Sequence, residues 1–166
     1  TSADAVRPTT LSRSGHALSL APWDTLGLQG RNFTGTGPSS MELTAFAGRS
    51  ALDPIRLYAG LDSAISPEER ARLVVREMDR TGAFDRAVIA VITPTGTGWV
   101  DADVTDALEY MYNGDTALVS MQYSYLPSWL SFLFGRTQVV DAASALITAV
   151  HDRWAAMPPT HRPKLL

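Results

Sequence analysis

The residues with the clearest chemical promise form a glycine turn, Thr93-Pro94-Thr95-Gly96-Thr97-Gly98-Trp99. It follows Ala87-Val88-Ile89-Ala90-Val91-Ile92, an apolar run without polar alternation. Such a run reads as a strand buried on both faces of a parallel sheet. Glycines there let the backbone turn sharply, so that its N–H groups can converge on an anion near a helix start. The chemistry would be stabilisation of an oxyanion or cradling of a phosphate. The same pattern also suits a plain strand-to-helix connection. Known phosphate motifs do not fit. Gly96-Thr97-Gly98-Trp99-Val100-Asp101 starts like a dinucleotide fingerprint but has Asp101 at the third glycine position. Gly48-Arg49-Ser50-Ala51-Leu52 lacks the second glycine of a nucleophile elbow and follows no strand.

Open α/β sheets bind ligands beyond the carboxyl ends of their strands. Three loops qualify by position: Gly60–Ile65, Thr93–Val100 and Ser124–Trp129. Asp62, Asp101 and Asp103 lie near these tips, and helix capping accounts for Asp101 or Asp103. His16, His151 and His161 have no metal-ligand spacing, and cysteine is absent. No metal or cofactor is expected. Trp129-Leu130 with Phe132-Leu133-Phe134 reads as an acyl pocket, a lid, or a short helix packed on the core.

The elements that would position these loops are marked by local signals. Ile55–Gly60 is a short strand. Ser66-Pro67-Glu68-Glu69 is a capping box with proline at the first helical position, and Gly82 suits the closing residue. This predicts a helix over about 66–81, with Ala71, Val74 and Met78 on its buried face. A second helix starts near Asp101 or Asp103 with a stripe of Val104, Ala107, Leu108 and Met111. Thr116–Tyr123 is the third strand. A third helix spans about 139–157, with Val140, Ala143, Ile147, Val150, Trp154 and Met157 inward. Lys164-Leu165-Leu166 opens a fourth strand. The alternation predicts an α/β fold, a mostly parallel sheet flanked by helices in three layers and incomplete within these residues. Residues 1–50, rich in Gly, Ser, Thr and Pro, read as an extended arm or linker. Ala21–Leu26 and a short helix at Met41–Ala47 are the parts of it suited to docking. Residues 51–166 form the domain proper.

Bulk composition narrows the function classes. The chain is 166 residues long, 45% hydrophobic and 19% charged, with a net charge of -3 and one lysine, Lys164. No basic cluster exists to bind nucleic acid. No apolar stretch approaches the roughly 18 residues needed to span a bilayer.

Several segments together are similar to a bacterial membrane-anchored alpha/beta-hydrolase family. They are Pro22-Trp23-Asp24-Thr25-Leu26-Gly27, Gly30-Arg31-Asn32-Phe33, Pro54 to Ala64, Arg80-Thr81-Gly82-Ala83-Phe84, Thr93 to Val100, Ala107-Leu108-Glu109-Tyr110, and Met121 to Trp129. The likeness covers about residues 20–166. It implies an extracytoplasmic serine hydrolase of esterase or lipase type, acting on an ester or lipid and held at the cell membrane by segments outside this chain. It implies that the backbone of Thr95, Gly96, Thr97 and Gly98 is the oxyanion loop, and that Trp99, Tyr123, Tyr125 and Trp129 contact substrate. The serine, acid and histidine would follow Leu166, in a C-terminal remainder that completes the domain as a partner chain or nicked continuation. Hydrolases of this fold usually open with a hairpin, whereas a helix is expected here between the first two strands. Gly60-Leu61-Asp62-Ser63 is therefore the rival loop. The competing reading is a non-catalytic, Rossmann-like module binding a nucleotide or phosphate at Gly96–Gly98. A third is an interaction domain using residues 128–134.

Overall fold

The computed structural model describes residues 5–124 and 136–166. Within these residues, four parallel strands form one sheet: β1 (Ile55–Ala59), β2 (Val88–Ile92), β3 (Thr116–Met121) and β4 (Lys164–Leu165). Their spatial order is β1-β3-β2-β4. Register pairs Leu57 with Val119, Val91 with Val119, and Ile89 with Leu165. The expected α/β architecture is thus present.

Among the described residues, five helices accompany the sheet: α1 (Gly27–Gly35), α2 (Ser40–Ala47), α3 (Pro67–Thr81), α4 (Ala102–Met111) and α5 (Arg136–Ala155). Strand order fixes their faces. The chain steps over β3 from β1 to β2, back from β2 to β3, and forward again over β2 to β4. With right-handed crossovers, α3 and α5 share one face and α4 takes the other. Consistently, α3 packs on both α5 and β1, whereas α1 packs on β1 and α2 on α4.

Local signals set the helix ends. Ser66 accepts from the Glu69 amide and Glu69 reaches back, while Gly82 closes α3 at φ 74°. Asp101 caps α4 by accepting from the Asp103 and Val104 amides. Ser39 and Glu42 form a capping box on α2, which matches the helix expected at 41–47.

The buried faces of α4 and α5 differ from the apolar stripes. In α4, Val104 and Met111 are exposed, and Thr105 and Glu109 are buried. The reason is Arg56 on β1, whose guanidinium is fully buried and donates two hydrogen bonds of 2.7 Å, from Nε and Nη2, to the Glu109 carboxylate. Asp106 accepts a third at 2.6 Å. A buried arginine must be paired, so α4 turns its carboxylates inward. In α5, Ala142, Leu146 and Val150 are buried, while Val140 and Ile147 are exposed. Ala142 and Leu146 line one small hollow with Val91, Ile92 and Met121, which puts this side of α5 on the sheet.

The stretch read as an extended arm carries α1, α2 and several buried side chains, among them Leu26, Phe33 and Leu43. Residues 12–14 lie along the free edge of β1: the Ser14 amide donates to Arg56 O at 3.0 Å and the Arg56 amide to Ser12 O at 3.1 Å. Buried Glu77 of α3 holds this segment. It accepts from Ser14 Oγ at 3.0 Å, Ser19 Oγ at 2.7 Å and the Leu20 amide at 2.7 Å.

Candidate functional site

The loops leaving β1, β2 and β3 meet at the carboxyl end of the sheet, where a pocket of about 270 Å³ opens. Leu61 and Asp62 come from the loop after β1, Thr97 from the turn after β2, and Gln122 from the end of β3. Thr25, Gly27, Leu28 and Gln29 close the near side. A larger cleft, about 1130 Å³, runs between α3 and α5. It is lined chiefly by helix surfaces and holds no part of the glycine turn, so the smaller pocket is the better candidate.

The Thr93–Trp99 turn is fixed by its own backbone and by two neighbours. The Gly98 amide donates to Thr95 O at 2.8 Å, the Thr95 amide to Trp99 O at 2.9 Å, and the Trp99 amide to Thr95 Oγ1 at 3.2 Å. Gly98 sits at φ 93°. Tyr58 Oη reaches across from β1 and donates to Gly98 O at 2.9 Å. Gln122 Nε2 donates to Thr97 O at 3.1 Å and to Ser124 O at 3.0 Å. Burial pushes the Tyr58 phenol well up from its ordinary value, so it stays a donor across the physiological range.

These bonds decide which amides remain for chemistry. The amides of Thr95, Gly98 and Trp99 are spent inside the turn. Among the described residues, the Thr97 N–H has no partner, and Thr97 lines the pocket. The glycine loop therefore presents Thr97 as its open donor rather than four converging amides. The Gly60 loop, the rival in the sequence, borders the same pocket through Leu61 and Asp62.

The other expected site residues separate. Trp99, half exposed, lines an adjoining hollow of about 100 Å³ with Gln29, Asn32 and Val100. Tyr123 lines a different hollow beside Val91 and Pro94, and burial raises its phenol. Tyr125, Trp129 and the 128–134 run lie outside the described residues.

Tyr58 and Gln122 carry the turn, yet nothing in their local sequence marks them. Tyr58 sits in an ordinary strand pattern, and only the pairing of β1 with β3 reveals that both reach the same loop. Gly30 offered a signal of sorts: a Cβ there would meet the Tyr58 ring at 2.5 Å, so glycine lets α1 lie directly on it.

Comparison with known families bears on this geometry. The model of an alpha/beta-hydrolase family matches residues 55–166, and that of an alpha/beta-hydrolase family N-terminus matches residues 1–38. The second match falls on the segment that lines β1 and closes the pocket. Comparison with curated proteins and with solved structures gave no match. A parallel sheet with flanking helices, a ligand-sized hollow at the strand tips and a family match over all four strands lead to one conclusion: this chain belongs to the alpha/beta-hydrolase family.

Proposed function

We propose that the chain is the N-terminal part of a serine ester hydrolase, and that it supplies one half of the oxyanion site. The supporting observation is the pairing of β2 with β4. Val91 N donates to Leu166 O at 2.9 Å, and Leu166 N to Ile89 O at 2.9 Å. Residues continuing from Leu166 in the same direction arrive beside the Thr93–Trp99 turn. A serine on a tight bend there would stand next to the Thr97 N–H.

In this reading the serine oxygen attacks the ester carbonyl carbon and its proton passes to a histidine. The carbonyl electrons move onto oxygen, where Thr97 N–H and an amide beside the serine receive the charge. Collapse breaks the bond to the alcohol, which takes the proton from histidine, and water then frees the acyl group. Serine, histidine and acid all come from polypeptide outside residues 1–166. The same reading places the domain on the extracytoplasmic side of a membrane, anchored by further segments. Among the described residues no helix is long and apolar enough to cross a membrane.

A phosphate-binding module is less well supported. Among the described residues lining the pocket there is no lysine or arginine, and Asp62 is present. The decisive experiment treats the full-length protein and residues 1–166 with a fluorophosphonate probe. Labelling of a serine beyond Leu166 in the full-length protein, with none in the shorter chain, is the expected result. Labelling within residues 1–166, or none in either, would overturn the proposal.

A further inference from the structure

We infer that Thr97 serves the reaction through its side chain as well as its backbone, its hydroxyl being a further hydrogen-bond donor to the oxyanion. The inference rests on the ester-hydrolase reading and deepens it by one catalytic group.

Hydrogen-bond direction carries the argument. The Trp99 amide donates to Thr95 Oγ1 at 3.2 Å, so that oxygen is already an acceptor. Thr95 Oγ1 and Thr97 Oγ1 are 3.4 Å apart, and between two hydroxyls either can donate. Among the described residues neither oxygen has another partner. If Thr97 donates to Thr95, the Thr95 proton is left without a protein acceptor in a half-buried position. If Thr95 donates to Thr97, the Thr97 proton turns to the pocket, which Thr97 lines and Thr95 does not. The second arrangement finds an acceptor for every proton once water or substrate enters, and groups that leave solvent favour such arrangements. The result is a directed series from the Trp99 N–H through the Thr95 hydroxyl to the Thr97 hydroxyl, in which each bond polarises the next. At 3.4 Å the hydroxyl pair is long, so its Thr97 end stays free to turn toward a ligand.

That end is also firmly held. The open N–H and the hydroxyl belong to one residue bordering one pocket, so a single oxygen can accept from both. The backbone on either side is pinned: Gln122 Nε2 donates to Thr97 O at 3.1 Å, and the Gly98 amide donates to Thr95 O at 2.8 Å. Donors fixed before substrate arrives stabilise developing charge with little reorganisation. The Thr97 hydroxyl keeps its proton throughout. It lends a hydrogen bond to the former carbonyl oxygen, and the proton of the attacking serine still passes to histidine. The side chain thereby stands in for the amides of Gly98 and Trp99, which the turn spends on Thr95.

The test uses the full-length protein, with ester hydrolysis and a fluorophosphonate probe whose phosphoryl oxygen seeks the same donors as an oxyanion. Thr97→Val removes the hydroxyl but keeps the branched shape and the N–H. Both kcat and the rate of probe labelling should fall by about 10- to 100-fold, with KM little changed. Thr97→Ser, which keeps a hydroxyl, should outperform Thr97→Val by about tenfold. Thr95→Val breaks the series one step further from the substrate and should cost a smaller factor. Equal losses from Thr95→Val and Thr97→Val, an effect confined to KM, or serine no better than valine would overturn the assignment. Thermal unfolding accompanies each variant. If Thr97→Val is unfolded at the assay temperature, Thr97→Ala takes its place against Thr97→Ser, and equal rates for that pair reject the donor. Labelling of the unaltered protein that Thr97→Val leaves undiminished rejects the donor while the hydrolase reading stands. No labelling of the unaltered protein rejects the hydrolase reading, and the donor with it.

Discussion

Tyr58 and Gly98 are 40 residues apart, and the phenol of one is hydrogen-bonded to the carbonyl of the other at 2.9 Å. Tyr58 is fully buried, so this bond has no competing water. It fixes the peptide plane that follows Gly98 and thereby commits the Trp99 amide to Thr95. A strand at one edge of the sheet in this way sets the shape of a loop that leaves another strand.

Replacing Tyr58 with phenylalanine keeps the ring against Phe33 and Gly30 but leaves the Gly98 carbonyl without its donor. The expected loss is about 1–3 kcal/mol, the penalty of an unmade buried bond. Urea unfolding of the full-length protein checks it. Ester hydrolysis should fall further than stability explains, through kcat more than KM, if the turn holds the oxyanion.

Two glycines with similar backbones should respond differently to alanine. Gly48 has φ 67° and open space where a Cβ would go. Gly98 has φ 93°, and its Cβ would lie 2.3 Å from Tyr58 Oη and 3.1 Å from Gln122 Cγ. Gly48→Ala should cost only about 1 kcal/mol of backbone strain. Gly98→Ala should cost at least about 2–3 kcal/mol more, since it also expels the Tyr58 hydroxyl. Equal melting temperatures for the two variants would refute the clamp.

Glu77 links acid to the N-terminal segment. Burial alone would raise its carboxyl, but hydrogen bonds from Arg80, the Leu20 amide and Ser19, with the charge of Arg80, outweigh burial and hold it below its ordinary 4.5. A depressed folded value means that the stabilisation is complete above the unfolded value of 4.5 and drains away as pH falls through the lower folded value. The hydrogen-exchange protection of residues 12–20, relative to an unstructured peptide at the same pH, should therefore fall below pH 4.5. In Glu77→Gln that protection should already be low at neutral pH and change little over the acid range.

The Arg56–Glu109 pair predicts a non-additive cycle. Both side chains are essentially unexposed, at 1% and 0%. Glu109→Met leaves Arg56 with only the half-exposed Asp106 as a countercharge, and should cost about 3–5 kcal/mol. Arg56→Met should cost a similar amount. The double variant should recover much of the loss, because no uncompensated charge then stays buried. Thermal unfolding of the three proteins tests this, and simple additivity would contradict it.

The same buried pair explains what the sequence hides. The α3 helix was legible because its start and end are written in adjacent residues, from Ser66 to Gly82. The inward face of α4 was not, since Glu109 faces the core only by virtue of a strand 53 residues earlier. Helix α1 escaped notice because Gly-Leu-Gln-Gly-Arg-Asn-Phe-Thr-Gly holds three glycines and no side-chain cap. It is helical through contact with β1 rather than through propensity. The glycine turn was visible, but its hydrogen bonds were not, so the sequence could not tell spent amides from the open one at Thr97. The composition of residues 1–50 signals loops, while its buried Leu26 and Phe33 belong to the core around the sheet and Leu43 is covered where α2 meets α4.

Residues 12–14, laid along β1, leave the sheet with one sealed border. Among the described residues, the opposite border at β4 is the one left open to another strand. A further strand would therefore join this sheet beside β4 rather than beside β1.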